Sequence, residues 1–342
     1  MAMLEVNNLK THFKTQDGIV KAVDGVSFSL EPGETLGIVG ESGSGKSVTA
    51  LSLMQLNSTP PGYYPEGEVI FEDRNLLEAS EREMQRIRGD DLAMIFQDPM
   101  TSLNPVFTVG NQITEAIRLH QEVSKSEARQ RAVQALRDVG IPRPEERVKD
   151  YPHQYSGGMR QRAMIAMALS CNPKVLIADE PTTALDVTIQ AQILELMADI
   201  QERFGTAIIM ITHDLGIVAQ IADKVTVMYA GRAVEQGTTE DIFYDPLMPY
   251  SWSLLRSLPR LDIAGETRLL PIEGQPPSLI FLPEGCNFSG RCPFVKEECL
   301  TIDPALEEKK PGHHAACILS VDEIEARERE ADRELGVREE AG

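Results

Sequence analysis

The sequence predicts an α/β protein whose core is a parallel β-sheet covered by helices on both faces. Two short apolar runs, at 174–178 and 207–211, have the length and the residue types of buried strands. Residues 187–203 between them repeat apolar side chains at helical spacing. This order of strand, helix and strand is typical of parallel sheets, because a crossover helix must return the chain to the edge where the next strand begins.

Length and charge narrow the class of protein. The chain has 342 residues, of which 42% are hydrophobic and 25% charged, so we expect a folded protein with two compact units. Its 33 Lys and Arg residues against 53 Asp and Glu residues give a net charge of −20, which disfavours nucleic acid as a partner. Apolar runs are too short for a membrane span, and the first residues do not resemble a signal peptide, so the sequence predicts a cytosolic protein.

Changes of pattern along the chain predict several regions. Residues 26–39 and 67–73 read as strands, the second as a hairpin that adds an antiparallel layer to the core. The predicted regions are a core at 1–97 and 167–245, an inserted α-helical subdomain at 98–166, a loop-rich C-terminal extension with four cysteines at 246–320, and an acidic tail at 321–342, expected as a solvated helix or a frayed end.

A phosphate-binding loop is the most informative motif. Residues 40–47 read Gly-Glu-Ser-Gly-Ser-Gly-Lys-Ser between a predicted strand and a predicted helix, which is the context that the G-x-x-x-x-G-K-S pattern requires. Glycines let consecutive backbone N–H groups face an anion, the lysine supplies charge to the outer phosphates, and the serine hydroxyl can bind Mg²⁺. The sequence predicts that nucleotide and Mg²⁺ are bound here by Gly40, Ser42, Gly43, Ser44, Gly45, Lys46 and Ser47.

Two carboxylates follow the predicted strand 174–178. Asp179 and Glu180 stand where that strand ends, which would place them beside the bound phosphates. Asp179 is suited to Mg²⁺, and Glu180 can polarise an attacking water as a general base. The combination of this pair with the phosphate loop predicts nucleotide hydrolysis.

The sequence Tyr-Ser-Gly-Gly-Met-Arg-Gln-Arg at 155–162 resembles the signature motif of ATP-binding-cassette (ABC) ATPases. Tyr155 and Met159 depart from the commonest signature, but they leave its serine and its glycines in place. Four further positions match the Q-loop, the D-loop, the switch histidine and the aromatic residue that lies against adenine, namely Gln97, Asp186, His213 and Phe13. The resemblance implies a P-loop NTPase fold of the ABC type, with a RecA-like parallel sheet core, an antiparallel β layer and an inserted α-helical subdomain.

The resemblance also implies how the site is completed. In a head-to-tail pair of cassettes, the signature of one subunit closes over the γ-phosphate of the ATP that Lys46 of the other subunit holds. ATP binding would join the two subunits and hydrolysis would release them. Gln97 and His213 are then implied, with Lys46 and Glu180, as catalytic residues, and Gln97 also as a Mg²⁺ ligand. The signature residues implied to contact nucleotide are Ser156, Gly157 and Gly158.

Four of the five cysteines lie in the predicted extension, and in a reducing compartment such a cluster favours metal ligands over disulfides. With Arg291 and Pro293, they resemble the C-terminal extension of oligopeptide and dipeptide importer ATPase subunits, in which four such cysteines hold a [4Fe-4S] cluster. Zinc, with His313 or His314 as a further ligand, and free or disulfide-linked thiols are the alternatives. The four cysteines are Cys286, Cys292, Cys299 and Cys317.

The resemblance implies an ATPase subunit bound under a separate transmembrane permease, at the cytoplasmic face of the membrane. MgATP hydrolysis would drive uptake of dipeptides, oligopeptides or a related small solute, and residues near 98–120 would contact the permease. The implied partners are two permease subunits, a second cassette, expected to be a different chain with a homodimer as the alternative, and an extracytoplasmic binding protein. The rival functions are a cassette ATPase that acts on nucleic acid or the ribosome, and a catalytically silent scaffold.

Overall fold

The computed structural model describes residues 2–98, 102–183, 186–257 and 271–334. The strands in these ranges are β1 (Leu4–Thr15), β2 (Gly18–Leu30), β3 (Thr35–Val39), β4 (Gly62–Tyr63), β5 (Glu68–Phe71), β6 (Arg74–Asn75), β7 (Leu92–Ile95), β8 (Val175–Asp179), β9 (Ala207–Thr212), β10 (Lys224–Tyr229), β11 (Arg232–Thr238), β12 (Glu307–Lys310) and β13 (His313–Ala315). The helices are Lys46–Leu53, Glu81–Ile87, Val109–His120, Lys125–Asp138, Pro144–Arg147, Gly157–Leu169, Val187–Phe204, Leu215–Ile221, Thr239–Tyr244, Pro249–Arg256 and Val321–Glu334, with 3₁₀ turns at Leu76–Glu78, Pro152–Gln154 and Glu297–Leu300.

The larger sheet has the strand order β12-β13-β11-β10-β3-β9-β8-β7. The five strands from β10 to β7 are parallel, whereas β11, β13 and β12 are added antiparallel at one edge. The two apolar runs predicted as parallel strands are neighbours, with Val175 of β8 opposite Ala207 of β9. Both strands are buried along their whole length, as expected of a sheet covered on both faces. The predicted α/β fold with a parallel core is confirmed.

The smaller sheet is antiparallel and has the strand order β2-β1-β5-β6, with β4 also paired to β1. The predicted hairpin at 67–73 forms β5 and β6, joined by a turn at Glu72 and Asp73, where φ is 46° and 68°. Leu4 and Val6 of β1 point inward and pack in one core with Leu53 and Ile209. The helix Lys46–Leu53 contacts strands of both sheets, so the segment that follows the phosphate loop is anchored from two sides.

The inserted helical subdomain has its own apolar core. The helices Val109–His120 and Lys125–Asp138 each bury one face, because their apolar residues recur at helical spacing. The helix Gly157–Leu169 is buried on most sides, since the consecutive residues 163–166 are all buried. The three helices meet in a cluster that continues into β8 and β9 and includes Ile113, Ile117, Ala132, Leu136, Ile165, Leu176 and Met210. The subdomain therefore packs directly on the parallel sheet.

The C-terminal extension joins the core sheet. Its strand β13 pairs with β11 of the core, with Ala315 opposite Glu235. Tyr229 at the end of β10 packs against Tyr250 and Phe288 of the extension, with ring centroids 4.6 and 5.3 Å away. The described residues of the extension thus share both a sheet and an apolar cluster with the core.

The predicted acidic tail begins with the helix Val321–Glu334, and residues 335–342 lie outside the described residues. This helix is not fully solvated, which corrects the expectation from its charge. Ile324 is completely buried against Trp252 and Phe294, so this one apolar side chain packs an otherwise polar helix against the extension. No helix in the part of the chain that the structure describes is long and apolar enough to cross a membrane.

Candidate active site

The phosphate loop connects β3 to the helix Lys46–Leu53, as the motif requires. Gly40 and Gly45 have φ values of 147° and 104°, which side-chain-bearing residues rarely adopt. A Cβ atom on Gly40 would lie 2.1 Å from the carbonyl oxygen of Met228, and one on Gly45 would lie 2.3 Å from that of Ala22. Only glycine fits at these two positions, because both neighbouring atoms belong to the backbone.

Lys46 lies inside the loop and is 5% exposed. Its Nζ donates hydrogen bonds to the carbonyl oxygens of Gly40 at 2.7 Å and Glu41 at 2.9 Å. Burial lowers the pKa of Lys46, and the negative charges of Glu180, Asp179 and Glu41 oppose that shift without cancelling it. The amine is held by loop carbonyls that phosphate oxygens can replace.

Ser47 and Asp179 form a pair beside the loop. The Ser47 Oγ donates to Asp179 Oδ1 over 3.1 Å, which joins the start of the helix to the end of β8. Burial raises the pKa of Asp179, and the neighbouring Glu180 carboxylate adds to the effect, against the hydrogen bond from Ser47 and the charge of Lys46. A hydroxyl and a carboxylate at this distance are oxygen ligands of the kind that Mg²⁺ prefers.

Glu180 is held by three side chains from different segments. Its Oε2 accepts hydrogen bonds from Gln97 Nε2 at 2.7 Å and from Thr183 Oγ1 at 2.9 Å, and its Oε1 lies 3.1 Å from His213 Nδ1. Burial favours a raised pKa for Glu180, but the hydrogen bonds from His213 and Thr183 and the charge of Lys46 outweigh it, so the pKa is lowered. The group is therefore ionised at neutral pH and already positioned to orient a water molecule.

The structure brings together the residues predicted around the γ-phosphate, and it adds one that sequence reasoning missed. Gln97 follows β7 and His213 follows β9, so both stand at the carboxyl edge of the parallel sheet, where β8 delivers Glu180. Thr183 was missed because a threonine three residues after an acidic residue has no distinctive pattern. Glu180 also has a φ of 48°, a strained backbone conformation, and its N–H donates to the carbonyl oxygen of Ile211.

The signature segment lies at the start of the helix Gly157–Leu169. Ser156 is its N-cap and accepts a hydrogen bond from the N–H of Met159 at 3.3 Å. Ser156 and Gly157 are exposed, and a Cβ added to Gly157 would meet nothing within 4 Å, whereas one on Gly158 would lie 3.1 Å from Ile189. This helix N-terminus presents backbone N–H groups to open space, where an anion on another molecule could approach.

The departure at Tyr155 has a structural explanation. Tyr155 is buried in the apolar core of the helical subdomain, and its hydroxyl donates to the carbonyl oxygen of Arg147 at 2.8 Å. The ring of Tyr155 thus occupies the place of the aliphatic side chain of the commonest signature, and its hydroxyl forms a hydrogen bond. The departure at Met159 adds a partly buried apolar contact to the same core.

Asp186 and Phe13 are placed by secondary structure away from the loop. Asp186 is exposed and caps the helix Val187–Phe204, where its Oδ1 accepts from the N–H of Ile189 at 3.0 Å; residues 184 and 185 before it lie outside the described residues. Phe13 lies on β1 opposite Gly62 of β4, and a Cβ on that glycine would lie 3.0 Å from the ring. Phe13 therefore packs one ring face on a bare backbone segment.

The four cysteines of the extension line one apolar cavity of about 20 Å³. Cys292 and Cys299 accept 3.4 Å hydrogen bonds from the N–H groups of Phe294 and Lys296. Burial raises the pKa of Cys292 to about 12 and that of Cys317 to about 11, and the neighbouring thiols add to both shifts. All five cysteines of the chain are free thiols in this structure.

The residues around this cavity decide which metal group it could hold. Among the described His, Cys, Asp and Glu residues, no three lie close enough to hold one metal ion. His313 and His314 do not line the cavity, and His313 Nε2 instead lies 2.8 Å from Glu235 Oε1. A multi-iron cluster needs wider spacing, because each thiolate binds a different iron. Four cysteine thiols line one cavity, and backbone N–H groups donate to two of the sulfurs, which is a donor set of the kind that iron–sulfur clusters use.

Proteins of known family resemble this chain over most of its length. Residues 23–183 match the ABC transporter family and residues 234–299 match the oligopeptide/dipeptide transporter C-terminal region. The oligopeptide transport ATP-binding protein OppD of Bacillus subtilis is 55% identical over 91% of this chain and 87% of its own length. OppD of Escherichia coli is 54% identical over 94% of this chain and 95% of its own length. The dipeptide transport ATP-binding protein DppD of Bacillus subtilis is 53% identical over 93% of this chain and 94% of its own length.

A solved structure also superposes on the cassette part of the chain. A dimeric ATP-binding cassette in a post-hydrolysis state, bound to ADP and Pi, has a TM-score of 0.63 at 27% sequence identity. The match covers 69% of this chain and 99% of that cassette. The part that has no counterpart there has the size expected of the C-terminal extension.

Proposed function

This chain belongs to the ATP-binding subunits of ABC transporters for oligopeptides and dipeptides, and we propose a role for each residue of its site in ATP hydrolysis. Its activity is ATP hydrolysis coupled to peptide import. The rival functions, on nucleic acid or as a silent scaffold, are not favoured, because the relatives over nearly the whole chain are peptide transport proteins. The observation that carries the residue assignments is the placement of Glu180, Gln97 and His213 at one edge of the sheet.

The phosphate loop binds the triphosphate. Backbone N–H groups of residues 42–47 surround the phosphates, and the Lys46 amine exchanges its two carbonyl partners for phosphate oxygens. Ser47 and Asp179 hold Mg²⁺, which neutralises charge on the phosphates when it is bound. Gln97 donates its amide N–H to Glu180, which leaves its amide oxygen for the metal.

Glu180 accepts the proton of the attacking water. Its carboxylate is ionised at neutral pH, because the hydrogen bonds from His213 and Thr183 outweigh the effect of burial on its pKa. His213 is more than half exposed, at 59% of its side chain, and lies on the open side of Glu180. From there it can reach both the carboxylate and the terminal phosphate.

The active site is completed by a second cassette. The helix N-terminus at Ser156 and Gly157 is exposed, and it supplies the kind of anion site that the γ-phosphate of a second cassette fits. The similar cassette of known structure is itself dimeric with ADP and Pi bound. We expect the partner to be a different, related cassette chain, and adenine to stack on Phe13.

The permease contacts the region that follows Gln97. Phe96, Val106, Phe107 and Leu119 are exposed large apolar residues at or near the Q-loop and on the helix Val109–His120. Exposed apolar side chains in one region are typical of a protein interface. Two permease subunits therefore bind here, at the cytoplasmic face of the membrane, and receive peptide from an extracytoplasmic binding protein.

The cysteine cavity holds a [4Fe-4S] cluster in the assembled protein. Cys286, Cys292, Cys299 and Cys317 would supply one thiolate to each iron, and bound iron would stabilise thiolates that burial alone disfavours. The role is structural, because the cavity joins the loops of the extension. Zinc is the alternative occupant. Anaerobic purification with iron and sulfide assays decides between them, since colourless protein with stoichiometric zinc would refute the cluster.

Reconstitution tests the proposed function as a whole. The chain, its permease and its cassette partner in proteoliposomes should accumulate peptide only with MgATP and binding protein present. Vesicles that carry Lys46→Met in this chain are the control, and they should lose uptake with permease content unchanged. ATP-dependent uptake that survives Lys46→Met would contradict the assignment of the phosphate loop.

A further inference from the structure

A buried arginine of the C-terminal extension contacts the phosphate loop. Arg291 Nη1 lies 2.6 Å from Glu41 Oε2, and Arg291 Nη2 lies 3.0 Å from Glu41 Oε1, so the two side chains form a bidentate ion pair. Glu41 is the second residue of the G-x-x-x-x-G-K-S loop. The two partners are 250 residues apart in the chain.

Burial and several hydrogen bonds fix the position of the Arg291 side chain, so that Arg291 can in turn fix the position of Glu41. The side chain of Arg291 is 5% exposed. Its remaining N–H groups donate to the carbonyl oxygens of Glu273 at 3.0 Å and Ile272 at 3.2 Å and to the hydroxyl of Tyr229 at 3.3 Å. The guanidinium stays charged, because an arginine is not deprotonated in proteins. Such a fork is rigid, because each hydrogen bond fixes the plane of the group.

A second contact from the extension reaches the same loop residue. The backbone N–H of Glu41 donates to the Tyr250 hydroxyl at 2.9 Å, and Tyr250 is fully buried. Tyr229 and Tyr250 pack together, with ring centroids 4.6 Å apart. The extension thus forms hydrogen bonds with both the backbone and the side chain of Glu41.

The negative charge of Glu41 disfavours ATP binding, because the phosphates that the loop binds are negatively charged as well. The carbonyl oxygen of Glu41 accepts a hydrogen bond from Lys46, the lysine of the loop. An unpaired carboxylate at this position would repel the phosphates at short range, where screening by solvent is incomplete.

We propose that Arg291 is a positioning residue for ATP binding, which neutralises Glu41 and draws its carboxylate away from the phosphates. The inference rests on the phosphate loop proposed above. It makes the C-terminal extension part of the nucleotide site, because the extension sets the position of Glu41 in the phosphate loop. Arg291 immediately precedes Cys292, so the segment that lines the cysteine cavity and the segment that sets the loop are continuous.

A double-mutant cycle on ATP affinity tests the proposal. Arg291→Met should raise the Kd for ATP by about tenfold or more in the purified full-length chain, and raise KM far more than it lowers kcat in the assembled transporter. In a Glu41→Gln background, the same Arg291→Met change should alter the Kd by less than about threefold, because no carboxylate is left to repel the phosphates. Arg291→Lys should retain part of the affinity.

Lys310→Met is the matched control. Lys310 of the extension forms ion pairs with Asp245 at 2.6 Å and with Glu325 at 3.1 Å, so this variant also loosens the extension. Lys310 lies on β12, the edge strand of the larger sheet, which three strands separate from β3 and the phosphate loop that follows it. The variant should lower the melting temperature and leave the Kd for ATP unchanged.

Three outcomes would overturn the proposal. The first is an unchanged Kd for ATP in Arg291→Met. The second is that Arg291→Met weakens ATP binding as much in the Glu41→Gln background as in the wild-type background. The third applies if Arg291→Met alone does not fold, and it is a large difference in Kd between Glu41→Gln and the double variant that carries both changes. Wild-type protein that binds no ATP would refute the proposed site together with this inference.

Discussion

Glu180 Oε1 lies 3.1 Å from His213 Nδ1, although the two residues end different strands of the parallel sheet. The same carboxylate accepts hydrogen bonds from Gln97 and Thr183 through its other oxygen. The proposed base is therefore oriented by side chains of this chain itself. Preorganised groups of this kind need no rearrangement at the moment of reaction, which is a main source of catalytic power.

Replacing the base should stop hydrolysis without stopping binding. Glu180→Gln is expected to lower phosphate release by the assembled transporter at least about a hundredfold, because the amide cannot accept the proton of water. It should also trap an ATP-bound cassette pair, visible by size-exclusion chromatography with MgATP. Glu195→Gln, at an exposed position of the helix Val187–Phe204, is the control and should hydrolyse ATP normally. Rapid turnover by Glu180→Gln would reject Glu180 as the base.

Adding a charge at the signature should separate binding from hydrolysis. A Cβ at Gly157 meets nothing within 4 Å in the single chain, so Gly157→Asp should fold and bind ATP with little change in Kd. The new carboxylate would face the γ-phosphate held by the other cassette, so ATP-driven pairing should fail and hydrolysis should fall by more than about tenfold. Equilibrium binding, sedimentation and phosphate release measure the three effects. Normal pairing by this variant would mean that the signature faces no second nucleotide.

Asp24 should make stability depend on acid pH. Burial favours a raised pKa for Asp24, but its hydrogen bond and ion pair with Arg232 and the contact with His12 outweigh it, so the folded-state pKa lies below 3.8. The unfolded chain then binds a proton first as the pH falls, and the stabilisation is lost below about pH 3.8. Asp24→Asn should therefore cost about 1 to 3 kcal/mol at pH 7.

The pH series supplies its own check. The difference in unfolding free energy between wild type and Asp24→Asn should stay constant from pH 7 to pH 5 and shrink as the pH approaches 3.8 and falls below it. Denaturant titrations at each pH measure it. A difference that grows toward acid pH would give the Asp24 pKa shift the opposite sign.

Two buried cysteines provide a test of the proposed cluster, one as the variant and the other as its control. Cys299 and Cys171 are both 7% exposed, but only Cys299 of the two lines the cavity of the extension. Cys299→Ser should lose most of the iron and acid-labile sulfide of anaerobically purified protein and should lower its melting temperature. Cys171→Ser should keep both ions at the wild-type level. Equal iron content in the two variants would exclude Cys299 as a ligand.

Strands and motifs that depend on neighbouring residues could be predicted well. β8 and β9 were recognisable because buried parallel strands are continuous apolar runs, and the phosphate loop because its glycines must stand at fixed spacing. The acidic C-terminal helix was misjudged as fully solvated, since a single buried side chain, Ile324, decides how it packs. That contact depends on Trp252 and Phe294, which the local pattern does not indicate.

Partners distant in the chain could not be predicted. Nothing near Glu41 or Arg291 in sequence indicates that they meet, or that β13 of the extension pairs with β11 of the core. Thr183 and Tyr250 were likewise invisible as contacts of Glu180 and Glu41.

The sequence by itself determined the class of fold, the nucleotide loop, the acid pair and the signature, because each is a short segment whose chemistry is complete in its own residues. The tertiary structure decided which charges are neutralised, which thiols share a cavity and how the extension reaches the loop at Glu41. The physical reason is that the charge state and orientation of a buried side chain depend on everything packed around it, and that environment is assembled from the whole chain.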